Sequence, residues 1–341
     1  MIVKKTLDYF RKKKQVEPLK LGLIGVGHLG EIHLKCLLLI PERFEIVGFF
    51  DLDPIKSSEI SISQGIKSYN SIEELIADSD VIDIVTPTLA HYDCAVLALN
   101  AGKHVFIEKP ISHTVAEAEE LANLVRSSGL KLQVGHVERF NPAYISASSH
   151  LSKPVFIEAH RLSEFNPRGT DVPVVLDLMI HDLDIILHTV DSEIKEIRAS
   201  GVAVVSETPD ICNARIEFEN GCVANLTASR ISLKNMRKTR FFQKDAYITV
   251  DFLKKQTEIL KMKDIHGEPD PFSVVMNLGE GKTNKEISFE KPTTPAESNP
   301  IRDELFSFSE SIINDTEPQV TINDGLRALK VAYMILDKIS S

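Results

Sequence analysis

Short apolar runs separated by amphipathic stretches set the rhythm of the chain from Leu19 onward. The runs at 19–25, 44–50, 80–85, 103–107 and 131–135 are apolar almost throughout, the pattern of parallel strands buried on both faces, and a weaker one sits near Ile66. Between them, 29–40, 55–63, 71–78, 89–101 and 114–128 carry helical spacing, some opening on helix-start residues such as Ser71 and Thr114. This alternation predicts an α/β unit with a doubly wound parallel sheet and right-handed crossovers. Its ligand is expected outside the carboxyl ends of the strands, at the topological switch point.

After about Asn141 strand patterns follow one another with few helices between them, so a second, α+β domain is expected there. Pro142 opens a short helix, 154–162 is a strand, and 173–190 is one long apolar helix. Strands are expected at 194–205, 211–219, 222–230, 238–243 and 246–252. Asn220-Gly221 predicts a two-residue hairpin turn in which Cys212 faces Ser229 and Cys222 faces Glu219, so these two cysteines are not partners. A polar, proline-punctuated stretch near 264–300 then leads to helices around 302–314 and 323–339.

Composition narrows the class. A chain of 341 residues suggests two domains. An excess of 49 Asp+Glu over 39 Lys+Arg, net −10, disfavours a surface that gathers nucleic-acid phosphates. Cys36, Cys94, Cys212 and Cys222 lack CxxC spacing and fit reduced thiols in a cytoplasmic protein. No apolar run reaches the about 18 residues of a membrane span, and the N-terminus lacks a signal-peptide apolar region. Residues 1–19 form a basic leader with Lys4, Lys5, Arg11, Lys12, Lys13 and Lys14, either an anchor for an anionic surface or a solvated segment lying on the body through Leu7, Tyr9 and Phe10.

The chemistry is concentrated at a few turns. Gly25, Gly27, His28, Leu29 and Gly30 form a GxGxxG turn between a strand and a helix, the arrangement that lets a backbone approach a pyrophosphate at a helix N-terminus. Asp51 ends the second strand, where a carboxylate accepts from ribose hydroxyls and repels a 2′-phosphate, favouring NAD over NADP. Asp53 could share that role, although a cap on the helix at Pro54 suits it better. Thr86 and Pro87 should border the cofactor, and His91 fits a structural place better than a contact. Glu108-Lys109-Pro110 follows the 103–107 strand; Glu108 and Lys109 are expected to border the cofactor, and the lysine stands where a reaction can use it. In the long helix, Asp177 and His181 are i and i+4, so the carboxylate can orient the imidazole. Asp177, His181 and His188 are metal-ligand residue types, but the ends of that set lie about 16 Å apart along a helix, and no metal is expected.

These residues together resemble the glucose–fructose oxidoreductase, inositol dehydrogenase and MocA (Gfo/Idh/MocA) family over roughly 20–340. The resemblance implies an NAD-binding Rossmann domain at 20–141 and a substrate-binding and oligomerisation domain at 142–341 built on a mostly antiparallel open sheet. It also implies homodimers or homotetramers. The family's catalytic Lys, Asp and His fall on Lys109, Asp177 and His181. Residues 135–142 and 177–182 are similar to a branch that dehydrogenates nucleotide sugars such as UDP-N-acetylglucosamine; Val137 stands where many other relatives have Asn. Free sugar or inositol dehydrogenation, or a non-catalytic NAD-sensing regulator on the same fold, are the alternatives. In the expected mechanism His181 takes the hydroxyl proton, Lys109 stabilises the alkoxide and Asp177 orients His181, while Arg139, Arg161, Asn166 and Arg168 hold the substrate.

Overall fold

The computed structural model describes residues 17–166, 172–266, 274–279, 283–295 and 297–340; the basic leader before Glu17 and Arg168 lie outside them. The first unit alternates as expected: β1 (Leu19–Ile24), α1 (His28–Leu37), β2 (Phe44–Phe50), α2 (Pro54–Gln64), α3 (Ile72–Asp78), β3 (Val81–Ile84), α4 (His91–Asn100), β4 (His104–Glu108), α5 (Val115–Ser128) and β5 (Leu132–Gly135). The strands form a parallel sheet in the order β2-β1-β3-β4-β5. Order reverses at β1, with β2 on one side and β3 on the other, so the glycine turn after β1 opens at the switch point. The sixth apolar run near Ile66 makes only an isolated bridge, Phe49 to Ser68. Two sequence-read starts are confirmed as caps: Ser71 Oγ accepts from Glu74 N–H, and Thr114 and Glu117 form a reciprocal capping box.

A short 3₁₀ turn (Val137–Phe140) and α6 (Pro142–Ser148) lead into a second sheet. Its strands are β6 (Phe156–Leu162), β7 (Ile194–Val202), β8 (Ile211–Phe218), β9 (Val223–Ser229), β10 (Met236–Gln243), β11 (Ala246–Asp251), β12 (Gln256–Asp264), β13 (Val274–Met276) and β14 (Lys285–Glu290). They run in the order β13-β14-β12-β11-β10-β6-β9-β8-β7, antiparallel except for the β6–β9 pair. Strands β12 to β14 were not expected from sequence. Lysines and glutamates recur along β12 and β14, and all three strands lie toward one end of the sheet, where few side chains are buried.

Two other expectations are corrected. The β8–β9 loop has three residues, closed by Gly221 N–H to the Phe218 carbonyl and Phe218 N–H to the Cys222 carbonyl, with Gly221 at φ +85°. The extra residue shifts the register by one, so Cys212 faces Ala228 rather than Ser229, and both point into the core. The stretch 173–190 is not one regular helix: a π-helical turn, Val175–Met179, precedes α7 (Ile180–Thr189).

The last helices, α8 (Pro300–Ile313) and α9 (Ile322–Ser340), return to the first unit. Leu305 and Phe308 of α8 join Leu21, Leu23, Leu34, Leu37 and Phe106 in one fully buried layer. On the other side of the sheet, Val105, Ile107 and Val134 belong to a core that runs without a break through α7 and α9 into the second sheet. All four cysteines are buried and unpaired, and burial pushes the Cys212 thiol up to about 12.

Candidate active site

The cofactor side is built by the turn after β1. Gly25 has φ +91°, and a Cβ there would meet the Val85 carbonyl oxygen at 2.8 Å. A Cβ on Gly30 would come within 2.1 Å of the Gly25 carbonyl oxygen, so α1 starts as close to β1 as the backbone allows. A Cβ on Gly27 would meet nothing within 4 Å. Gly27 caps α1 with no side chain on the first-turn amides, leaving a backbone surface suited to phosphate oxygens. His28 and Leu29, both partly exposed, occupy that first turn.

Gly25, Gly27, Asp51, Thr86 and Pro87 line a cleft of about 430 Å³. The Asp51 carboxylate accepts from Val26 N–H at 2.7 Å and from Asp53 N–H at 2.9 Å. It therefore holds the glycine turn, and each oxygen keeps a lone pair for a ribose hydroxyl. Asp53 caps α2, accepting from Ile55 and Lys56 N–H. The ring nitrogens of His91 lie 2.9 Å from the Thr86 carbonyl and 2.8 Å from the Pro110 carbonyl, tying together the loops after β3 and β4. His91 is buried, as its expected structural place requires. These residues fit a dinucleotide.

The reacting side faces the carboxyl end of β4. Lys109 Nζ donates to the Asp177 carbonyl at 2.7 Å and lies 3.8 Å from the Asp177 carboxylate. Burial lowers the Lys109 pKa, against the opposing pull of Asp177 and Glu108. His181 stands one turn further along, its pKa held well below the ordinary histidine value by burial and then by the cations Lys109 and Arg161. Its imidazole is neutral at pH 7. His181 Nδ1 is buried without a hydrogen-bond partner, so the expectation that Asp177 orients His181 is corrected: Asp177 holds Lys109. The π-helical turn carries Asp177 at this point, in line with the concentration of such turns at functional sites.

The expected substrate arginines are corrected as well. Arg139 is buried and grips Asp184 through Nε at 2.7 Å and a terminal nitrogen at 2.8 Å. Arg161, also buried, spends its donors on Asp182 at 2.8 and 3.1 Å and on Glu138 at 3.0 Å. These buried pairs fix the Val137–Phe140 turn and β6 to α7, so both arginines are held on carboxylates of the protein rather than presented to a substrate. Asp182 and Asp184 within an otherwise apolar helix were the available signal. Asn166 lies exposed beyond the end of β6.

Sequence reasoning missed a buried polar group under the Lys109 turn. His33 of α1 bridges Asp83 of β3 at 3.0 Å and Glu108 of β4 at 3.1 Å. Glu108 also accepts from Lys109 N–H at 3.1 Å, so its expected cofactor contact is corrected: the carboxylate is buried beneath the turn. Glu304 of α8 lies fully buried alongside, with no hydrogen-bond partner for either oxygen. The His33 pKa is raised well above its ordinary value because Asp83 and Glu108 outweigh burial, the largest single effect and one that lowers it. Burial and the Glu108 charge push the Glu304 carboxyl well up. His33, Glu108 and Glu304 bring ligand-type atoms within 4.8 Å of one another, yet an imidazolium bonded to two carboxylates has no lone pair for a metal. The histidine three residues after the GxGxxG turn, on a face that must be buried, was the missed clue.

A glycine turn open to phosphates, beside a lysine and a neutral histidine at the switch point, defines a nicotinamide-dependent dehydrogenase acting on CH–OH groups. Residues 19–136 match the model of an oxidoreductase family with an NAD-binding Rossmann fold, and residues 146–248 match the GFO/IDH/MocA C-terminal domain. The chain is 37% identical over 243 residues to a UDP-N-acetylglucosamine 3-dehydrogenase of Acidithiobacillus ferrooxidans, covering 71% of this chain and 76% of that one. A solved structure of the enzyme of that name from the same organism superposes with a TM-score of 0.84 at 31% identity over 95% of this chain and 98% of that one. A scyllo-inositol 2-dehydrogenase (NAD(+)) of Bacillus subtilis is 27% identical over 229 residues, 62% of this chain and 67% of that one. The chain belongs to the Gfo/Idh/MocA family of oxidoreductases. Among the described residues, no helix is long and apolar enough to cross a membrane.

Proposed function

We propose that the protein oxidises a hydroxyl-bearing carbon of a nucleotide sugar, with UDP-N-acetylglucosamine as the first candidate, and that it uses NAD rather than NADP. The observation that carries the reading is Lys109, at the carboxyl end of β4 and held by Asp177, with neutral His181 one turn further along the same helical segment as Asp177. The 37% identity to a UDP-N-acetylglucosamine 3-dehydrogenase supports the choice of substrate. The carboxylate of Asp51 in the cleft supports NAD, because it would repel a 2′-phosphate.

Gly25, Gly27 and the first turn of α1 hold the pyrophosphate, Asp51 takes the ribose, and Thr86 and Pro87 border the rest. Bound NAD supplies the hydride acceptor. His181 accepts the substrate hydroxyl proton, and Lys109 places its positive charge against the oxygen as it becomes an alkoxide. Asp177 is a positioning residue: its carbonyl and carboxylate aim the Lys109 ammonium, and its charge opposes the lowering of the Lys109 pKa by burial. In this reading residues 20–141 bind the cofactor and those from 142 onward present the substrate.

The test is to incubate the protein with NAD and a panel of UDP-N-acetylglucosamine, free N-acetylglucosamine and inositol while following the absorbance of reduced cofactor. Turnover on the nucleotide sugar supports the reading; turnover only on free sugar or inositol overturns the substrate, and NAD binding with no turnover on any sugar favours a regulator. Lys109→Met should lower kcat by about 10²–10³ with NAD affinity little changed, as expected for loss of a group that acts on developing charge.

A further inference from the structure

Arg237 of β10 stands directly opposite Arg161 of β6, so both side chains rise from the same face of the large sheet. Arg161 meets α7 there, the helix that begins beside the reacting groups. The two guanidinium groups have different fates. Arg161 is buried and uses all three of its nitrogens on Asp182 and Glu138. The Arg237 side chain is 52% exposed, and its one ion-pair contact among the described residues is Glu138 Oε1 at 4.0 Å, an oxygen that Arg161 already holds at 3.0 Å. The other Glu138 oxygen accepts from Asn141 at 3.0 Å. Glu138 is therefore spent, and the planar fork of Arg237 has no close acceptor in the described protein.

The group is also near the chemistry. Arg237 is among the cations that disfavour protonation of both Lys109 and His181. His181 adjoins Asp182, which Arg161 grips, so Arg237, opposite Arg161 on β10, stands on the sheet face that meets this helix, and a substrate held by Lys109 and His181 would extend over that face. A fork of N–H donors matches a group that offers two oxygens and a negative charge, whereas a neutral polyol needs no such partner.

We propose that Arg237 is a substrate-binding residue that receives an anionic group of the sugar substrate, the diphosphate of a nucleotide sugar or a carboxylate borne on the sugar. The proposal deepens the nucleotide-sugar reading and rests on it for the choice of the first substrate. It also reassigns the anion contact from Arg139 and Arg161, which are held on Asp184, Asp182 and Glu138.

The experiment compares the wild-type protein with Arg237→Gln and Arg237→Lys. It measures kcat and KM for UDP-N-acetylglucosamine and for NAD, with calorimetric binding of UDP and of glucuronate as separate probes. Arg237→Gln should raise the KM for the nucleotide sugar by about 10- to 100-fold, the range for losing charge-assisted hydrogen bonds. Its kcat and NAD KM should stay within a few-fold of wild type, and Arg237→Lys should fall between the two. Loss of UDP binding in Arg237→Gln assigns the diphosphate, and loss of glucuronate binding assigns a carboxylate. An unchanged KM on a nucleotide sugar that the wild type turns over overturns the role of Arg237 and leaves the function standing. Arg237-dependent binding of UDP or glucuronate, with no turnover of UDP-N-acetylglucosamine, retains the role and overturns the substrate. Thermal melts identify a folding defect in Arg237→Gln, in which case the KM of Arg237→Lys decides: unchanged, it overturns the role; raised several-fold, it supports it.

Discussion

His181, the base of the proposed reaction, is hard to protonate. Burial and the positive charges of Lys109 and Arg161 keep its ring neutral well below the ordinary histidine value of 6.5, so the base form persists as the medium turns acid. The acid limb of kcat/KM assigned to this residue should therefore lie below pH 6.5 in a pH–rate profile, and His181→Ala should abolish that limb along with most of kcat. Stability carries the opposite cost. A folded pKa below the unfolded one means that the unfolded chain takes up a proton the folded chain refuses, so this contribution is complete above about 6.5 and is lost as pH falls. Glu304 runs the other way. Its carboxyl is raised well above 4.5, so the neutral acid contributes stability that is full below 4.5 and is lost as pH rises through the folded value. Glu304→Gln keeps the shape without the ionisation, so between pH 5 and pH 9 its melting temperature should fall less with rising pH than that of the wild type; parallel curves would mean that Glu304 is ionised throughout. At this scale the sequence made Gly25, Gly27, Gly30, Asp51 and Lys109 legible because each sits at a turn whose geometry demands it. It did not reveal that Asp177 serves Lys109 rather than His181, nor that Arg139 and Arg161 are buried. Those depend on which carboxylate lies across a domain junction, and spacing along one helix carries no such information.

Elements were legible in proportion to how deeply they are buried. The five parallel strands are continuous apolar runs because helices cover both faces, and all five were found close to their observed bounds. Strands β12 and β14 escaped because most of their side chains are exposed or half-buried, so few positions need be apolar. The hairpin at Gly221 was placed correctly, but its register slipped by one, since Asn-Gly serves a three-residue loop as well as a two-residue one. The π-helical turn has no sequence period that sets it apart from an α-helix. Helix α8 makes the strongest energetic claim among the elements: Phe308 is fully buried, its ring 6.0 Å from that of Phe106 on β4. Phe308→Ala should cost about 3–5 kcal/mol in a urea denaturation series, the range for emptying a phenylalanine site in a core. Cofactor affinity should weaken with it if α8 braces the sheet that carries the glycine turn.

For the whole molecule, the division at about residue 141 marks a change of pattern rather than a clean separation of parts. One apolar core passes from the parallel sheet through α7 and α9 into the large sheet, and the loop before α9 pairs with β5 through the Gln133–Thr321 bridge. The cluster of Lys109, Asp177 and His181 lies across that junction, so cofactor and substrate are brought together by a continuous solid rather than by two bodies on a linker. The return of α8 also has a consequence for synthesis. The nucleotide-binding unit is translated first, yet the helix that supplies Leu305 and Phe308 to its core and Glu304 to its buried polar group begins only at Pro300. Until that segment leaves the ribosome, one face of the parallel sheet lacks its α8 cover and the His33–Asp83–Glu108 group lacks Glu304 beside it. The part of the enzyme made earliest is thus among the last to be finished, and a nascent chain halted before Pro300 would present that apolar face to chaperones.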